Sequence, residues 1–300
     1  TSVSASTTAT TTAVEPADTK TKYPLAVTDI LKRSVLIGQA PKRIVTLLPT
    51  ATETLYQAGG IAIGRDSSSK YPEAVLELPT VGSAYNPSIE AVAALNPDLI
   101  IIEALSQAQL IPALTKLGVP VIAVRAASVD DVYASLTLIG KIIDKNEVAA
   151  QAIAQIKTRI EAVKKTTPAS KNVLILISDA NRNIYAAKST SYPGTLAALL
   201  NQTNLAAGIP DSGPYPGFGL YTAELAATSN PDIIFTISPA PAPAPKLSTM
   251  LAQVPGFNQM NAVKNGKVKE LDPVLFLQAQ GPRIAEAAEQ MAGFLNEVTP

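Results

Sequence analysis

The chain contains no cysteine, no histidine and no tryptophan. Without cysteine it forms no disulfide, presents no thiolate nucleophile and holds no zinc through sulfur. Without histidine it builds neither a Ser-His-Asp triad nor an HExxH zinc site, and no imidazole serves as a general base. Chemistry would have to rest on carboxylates, Lys, Tyr or Arg, which tilts the expectation from catalysis toward binding. Charge of either sign lacks an excess: 24 Lys and Arg stand against 24 Asp and Glu. That balance argues against a nucleic-acid partner, which usually calls for a basic surplus. No apolar run approaches the roughly 20 residues needed to span a bilayer, so the chain reads as soluble.

What is present is 300 residues, 47% of them hydrophobic, enough for two lobes of ordinary domain size. Of residues 1–14, twelve are Thr, Ser or Ala, the composition of a flexible stalk. Residues 1–22 are expected to be the spacer of an exported protein whose signal peptide, with or without a lipid-bearing Cys, has been removed. An expression leftover is the plain alternative.

From residue 41 the pattern is α/β. Short apolar runs at 43–48, 61–64, 99–102 and 119–124 read as buried strands, and helical segments at 50–58, 89–95 and 111–117 lie between them. This alternation predicts a parallel sheet covered by helices on both faces. From Val129 to Lys165 apolar residues recur at a helical period, interrupted at Asp144-Lys145-Asn146. One helix to about Ile143 and a second, up to Thr166, are expected. After Pro168 the α/β pattern restarts, with strands at 173–178, 184–187, 233–237 and 267–271 and a closing helix at 282–294. The expected division is an N-terminal α/β lobe (23–143), a connecting helix (144–167) and a C-terminal α/β lobe (168–300).

The halves echo one another. Residues 86–102 and 220–236 both contain Glu-x6-Pro-Asp, with Glu90 and Glu224 standing 134 residues apart. Asn-Pro-Asp alone is ordinary turn chemistry, but a Glu, the turn and a following buried strand in one alignment point to duplication. Two similar lobes joined by a helix leave a cleft between them, the usual place for a ligand.

Three sets of residues carry a resemblance. They are Pro41-Lys42-Arg43-Ile44-Val45; Asn86-Pro87-Ser88-Ile89-Glu90 with Asn96-Pro97-Asp98; and Leu275-Phe276-Leu277 with Gly281-Pro282-Arg283. Together they resemble the helical-hinge solute-binding proteins of ABC importers, which carry ferric siderophores, haem or vitamin B12. The resemblance covers about residues 23–298 and does not single out a ligand. It implies two Rossmann-like lobes with parallel-rich sheets joined by a long α-helix, a ligand cleft between them, and no catalysis. It implies a periplasmic or extracytoplasmic location, lipid-anchored or free, and a permease dimer as partner to a monomeric binding protein. It also implies that Glu90 and Glu224 dock on permease arginines. On the residues alone both glutamates equally suit an exposed helix surface.

Open α/β sheets bind ligands at the carboxyl ends of their strands. The aromatics Tyr71, Tyr85, Tyr192, Tyr215, Phe218, Tyr221 and Phe276 fall in or beside the corresponding loops, where each is either a pocket wall or partly buried filler. Arg65, Arg125 and Arg283 are the candidate cationic partners of an anionic or hydroxamate-type ligand. Arg283 begins the last helix, where its charge opposes the helix dipole. The run Pro239–Pro245 alternates Pro and Ala and reads as a stiff loop at the cleft rim.

Among ligands a ferric siderophore, of hydroxamate or carboxylate type, ranks first, because the chelator already fills the iron's coordination sphere. Haem ranks second, since only Tyr is available as axial ligand. Cobalamin ranks third for want of Trp. The alternative class is an α/β enzyme such as a metal chelatase or a nucleotide-dependent enzyme. Against it, no GxGxxG follows the first strand, and Gly266-Lys267 precedes Val268 rather than Ser or Thr. A single rigid connecting helix predicts little lobe closure.

Overall fold

The computed structural model describes residues 20–240 and 243–298. Most of the expected stalk, residues 1–19, lies outside the described residues, as do residues 241–242 of the Pro-Ala run.

The described chain opens on a hairpin that the sequence reading does not include, β1 (Leu25–Thr28) against β2 (Ser34–Ile37). The expected alternation follows: β3 (Ile44–Thr46), α1 (Pro49–Gln57), β4 (Ala62–Arg65), α2 (Ile89–Ala94), β5 (Leu99–Glu103), α3 (Ala104–Gln107), α4 (Ile111–Thr115) and β6 (Val121–Val124). The strands form a parallel sheet in the order β4-β3-β5-β6. Central β5 is buried along its whole length. Its period of two divides Leu99 and Ile101, which pack with Ala51 and Leu55 of α1, from Ile100 and Ile102, which pack with Val92 of α2 and Leu114 of α4.

The hairpin tip explains how edge strand β6 is finished. Ile30 N–H donates to the Ala123 carbonyl (3.5 Å), Ala123 N–H donates to Asp29 Oδ2 (3.2 Å), and Arg33 Nη2 donates to the Val121 carbonyl (3.0 Å). An otherwise open edge is thereby closed.

Helix α5 (Val129–Ile142) and helix α6 (Asn146–Thr166) flank the anticipated interruption, where Asp144 takes a positive φ of 55°. Along α6 the buried residues are Ala149, Ala152, Ile156, Ile160 and Val163, a stripe at helical spacing. A Cβ on Gly140 of α5 would lie 2.4 Å from Ala149 Cβ, so glycine permits the close approach of these two helices.

The C-terminal lobe contains β7 (Asn172–Ser178), β8 (Ile184–Ala187), α7 (Tyr192–Leu199), β9 (Thr203–Asn204), β10 (Phe218–Leu220), α8 (Ala223–Thr228), β11 (Ile233–Ile237), α9 (Leu247–Met250), α10 (Asn261–Lys264), β12 (Val268–Leu271) and α11 (Ile284–Glu297). A π-helical turn spans Val274–Gln278 before α11. The sheet order is β10-β8-β7-β11-β12, with β9 beside β7. β8 runs antiparallel to both neighbours while β7, β11 and β12 are parallel, so this sheet is mixed. One hydrophobic core is continuous from Leu99 and Leu136 in the first lobe, through Ile156 and Ile160 of α6, to Ile175, Phe235 and Leu295 in the second.

The duplicated motif has one geometry in both lobes. Asp98 N–H donates to the Arg43 carbonyl (2.8 Å), and its carboxylate accepts from the N–H groups of Lys42 (2.8 Å) and Arg43 (2.9 Å). Asp232 N–H donates to the Asn172 carbonyl (2.8 Å), and its carboxylate accepts from Asn172 N–H (2.7 Å). Each Asp thus staples the start of one central strand to the start of its parallel neighbour. Asp98→Ala and Asp232→Ala should each destabilise by about 1 kcal/mol, adding in the double variant because the sites share no partner. Urea denaturation checks this, and an unchanged midpoint in either variant would remove the staple role.

Candidate functional site

Each lobe sheet ends in loops that carry the candidate residues, and one pair of side chains joins the two sets. Glu53 lies on α1 of the first lobe and Arg283 caps the start of α11 in the second. Arg283 Nε donates to Glu53 Oε2 (2.9 Å) and Nη2 to Oε1 (2.7 Å), a bidentate ion pair between residues 230 apart. The guanidinium carbon also sits 4.4 Å from the Tyr71 ring centroid. Arg283 is therefore held by two groups of the opposite lobe, which offset its unfavourable place at a helix N-terminus.

The direction of α1, and hence of Glu53, is set locally. Leu48 adopts φ 86° and ψ 142°, a region that costs a residue with a side chain on the order of 1–3 kcal/mol. Buried Asp66 holds it there by accepting from Leu48 N–H (2.9 Å). Asp66 also accepts from Ser68 N–H (2.8 Å) and from the hydroxyls of Ser68 and Ser69, and Ser69 continues the network through Thr52 (2.9 Å) to Thr46 (2.7 Å). The hydroxyl-rich stretch after β3 is thus interior wiring.

The three candidate arginines are all engaged. Arg125 follows β6 and is bound bidentately by Asp131 (2.7 and 2.9 Å), which pushes its pKa up. Arg65 corrects the expectation of a cleft cation. It is buried and donates to the carbonyls of Val75 (2.6 Å), Asp66 (3.1 Å) and Leu76 (3.3 Å), fixing the turn at Glu73–Glu77.

The aromatics separate into two groups. Tyr71 and Tyr85 are 48% and 73% exposed, and Tyr215 is half-buried. Tyr215 donates to the Ser178 carbonyl (3.2 Å) at the end of β7 and meets Tyr185 edge-on at 5.8 Å. Tyr192, Phe218, Tyr221 and Phe276, expected on a cleft surface, are buried: Tyr192, Phe218 and Phe276 in the large core and Tyr221 in a second cluster with Phe257. Sequence position alone does not reveal this, because a residue beside a strand end faces inward or outward according to local turn geometry. Burial, reinforced by the charge of Glu53, pushes the Tyr192 hydroxyl pKa far up. Tyr221 bonds the Ser229 hydroxyl. The loops around Tyr85 and Leu105 are drawn together by Gln107 Nε2 donating to the Ala84 carbonyl (2.5 Å), leaving Leu105 65% exposed.

Glu90 and Glu224 occupy equivalent places, each the second residue of a six-residue helix, α2 or α8, whose N-cap is Ser88 or Thr222. Both side chains are exposed. Glu90 is lowered in pKa by its own backbone N–H and by Ser88, and Glu224 by Thr222 and its own backbone N–H. Both are therefore anionic at neutral pH.

Glu53 closes the segment Pro49–Glu53 expected at the cleft, but its pairing with Arg283 is not legible in the sequence, since nothing but that partner distinguishes it from other helix carboxylates. Burial pushes its pKa up, against the opposing pull of Arg283. Arg283→Met removes that pull, so Glu53 should rise further. A carboxyl whose folded pKa exceeds its unfolded value favours folding below the unfolded pKa, and that contribution fades as pH rises through the folded pKa. The variant should be less stable than the wild type by about 3 kcal/mol at pH 8, with a smaller deficit at pH 5. Urea melts at both pH values check this, and an equal deficit would sink the assignment.

A family model described as a periplasmic binding protein matches residues 44–275. The uncharacterized ABC transporter substrate-binding lipoprotein YvrC of Bacillus subtilis is 28% identical over 281 residues, 90% of this chain and 85% of that protein. The cobalamin-binding protein of Halobacterium salinarum is 24% identical over 289 residues, 94% of this chain and 77% of the relative. Among solved structures, Staphylococcus aureus SirA complexed with staphyloferrin B superposes with a TM-score of 0.72 at 19% identity, over 91% of this chain and 98% of that one. With the two α/β lobes, the connecting helix and the matched length taken together, the chain belongs to the periplasmic binding protein family.

Proposed function

We propose that the protein is an extracytoplasmic solute-binding protein that captures a ferric siderophore between its lobes and delivers it to an ABC importer. The observation that carries this reading is the matched pair Glu90 and Glu224, two exposed anions at equivalent helix starts of a duplicated lobe. A salt bridge depends steeply on distance, so one such contact per lobe lets the two halves of a permease dimer sense how the lobes stand relative to each other. The lipoprotein named among the relatives supports placement at the outer face of the cell membrane, on a lipid anchor. The division into lobes 23–143 and 168–300 around a connecting segment 144–167 belongs to this reading, as does a monomeric state.

For the ligand, SirA with its bound staphyloferrin supports a siderophore, and the cobalamin-binding relative supports the competing corrinoid reading. Exposed Tyr71 and Tyr85, with half-buried Tyr215, offer flat apolar faces with hydroxyl tips. Against haem, Tyr192 is buried and Tyr71 carries Arg283 over its ring, which leaves Tyr85 as the exposed candidate for an axial ligand. Native mass spectrometry after incubation with ferric hydroxamates, ferric catecholates, hemin and cobalamin should show a 1:1 ferric siderophore complex in preference to the others. Tight hemin binding with a Tyr-to-iron charge-transfer band would reverse that order.

Docking is tested separately. Glu90→Arg and Glu224→Arg should each abolish ligand uptake in cells and leave affinity in solution unchanged. Parallel loss of affinity would move these residues from the permease face into the cleft.

A further inference from the structure

The three candidate cleft arginines, Arg65, Arg125 and Arg283, are already engaged from within. Arg283 is clasped by Glu53, and Arg125 by Asp131. Arg65 is buried on three backbone carbonyls. A guanidinium recognises a carboxylate through a planar fork of N–H groups, and in Arg283 and Arg125 the fork formed by Nε and one Nη is already filled. An anionic ligand seeking that fork would have to displace a carboxylate tethered to the same protein. For Arg283 the displaced group is Glu53, 3% exposed, and an unpaired charge left in such a place is strongly unfavourable.

Among the described residues, Lys70, Arg182 and Lys246 are exposed cations on the loops after β4, β7 and β11. Such charges attract anions over a distance that salt screens, and contribute little as fixed contacts. The exposed aromatic surface of Tyr71 and Tyr85 supplies neutral hydroxyls and apolar area.

We infer that the cleft selects a chelate of low net charge, the class of the ferric trishydroxamates, and disfavours polyanionic chelates. Three hydroxamate anions cancel the charge of ferric iron, whereas three catecholates leave the complex trianionic. Glu53 and Asp131 are then specificity-determining residues: each holds an arginine in place while removing its charge from the ligand's view. This inference rests on the siderophore reading and narrows it.

The test compares ferrichrome, a neutral trishydroxamate, with trianionic ferric enterobactin, by quenching of intrinsic Tyr fluorescence on the full chain at low and high salt. Ferrichrome should bind at least about tenfold tighter, a difference of roughly 1.4 kcal/mol, with little dependence on salt. Glu53→Gln and Asp131→Asn should each shift the ratio of the two affinities toward ferric enterobactin. Asp131→Asn, at a more exposed pair, keeps the test decisive if Glu53→Gln fails to fold. Equal or tighter binding of ferric enterobactin by the wild type overturns the charge inference and leaves the siderophore reading intact. Failure of both complexes, and of a ferric carboxylate chelate, to bind removes the siderophore reading, and the inference with it.

Discussion

The ion pair between Glu53 and Arg283 is the constraint on which the arrangement of the lobes depends. It joins residues 230 apart in the chain, one in each lobe. Glu53 is aimed by a backbone that Leu48 holds at φ 86°, and Leu48 is restrained by the buried carboxylate of Asp66. Arg283 starts α11, where a cation is unwelcome until a carboxylate faces it. Tyr71 adds its ring face to the same guanidinium. Neither member is tolerable without the other, because each would remain as a charge with restricted access to water. The pair thus fixes where the loop after β4 and the segment before α11 meet.

Behind that contact the lobes share a core. Helix α6 lays Ile156, Ile160 and Val163 into a hydrophobic cluster that also contains Leu136 of the first lobe and Leu295 of the second. Protein interiors are close-packed and resist continuous deformation, so a hinge built from such a helix favours small adjustments over wide closure. Arg125 and Arg283 are each held by a carboxylate of the same chain, Asp131 and Glu53.

Duplication shows its use on the opposite account, in what the lobes present outward. Asp98 and Asp232 make the same backbone staples, and the short helices preceding them carry Glu90 and Glu224 at the same turn. A helix N-terminus capped by Ser88 or Thr222 keeps its glutamate ionised. The two anions thus stand at equivalent places on the two lobes.

Much of this was legible in the residues. Strand lengths, the apolar periods of α5 and α6, the break at Asp144 and the repeated Asn-Pro-Asp turn follow from local patterning and local turn chemistry, both of which operate over a few residues. The hairpin β1-β2 escaped because its residues alternate weakly and Leu36 faces outward; its purpose, covering the edge of β6, exists only across some ninety residues of intervening chain. The inward turn of Tyr192, Phe218, Tyr221 and Phe276, and the withdrawal of Arg65 onto carbonyls, likewise depend on which face of a loop the packed lobes leave open. The sequence by itself determined the alternation, the connecting helix, the duplicated half and the two outward glutamates, since these need only neighbours. Only the tertiary structure decided which charges remain free at the cleft, because Glu53 acquires its meaning from an arginine brought to it by the whole fold.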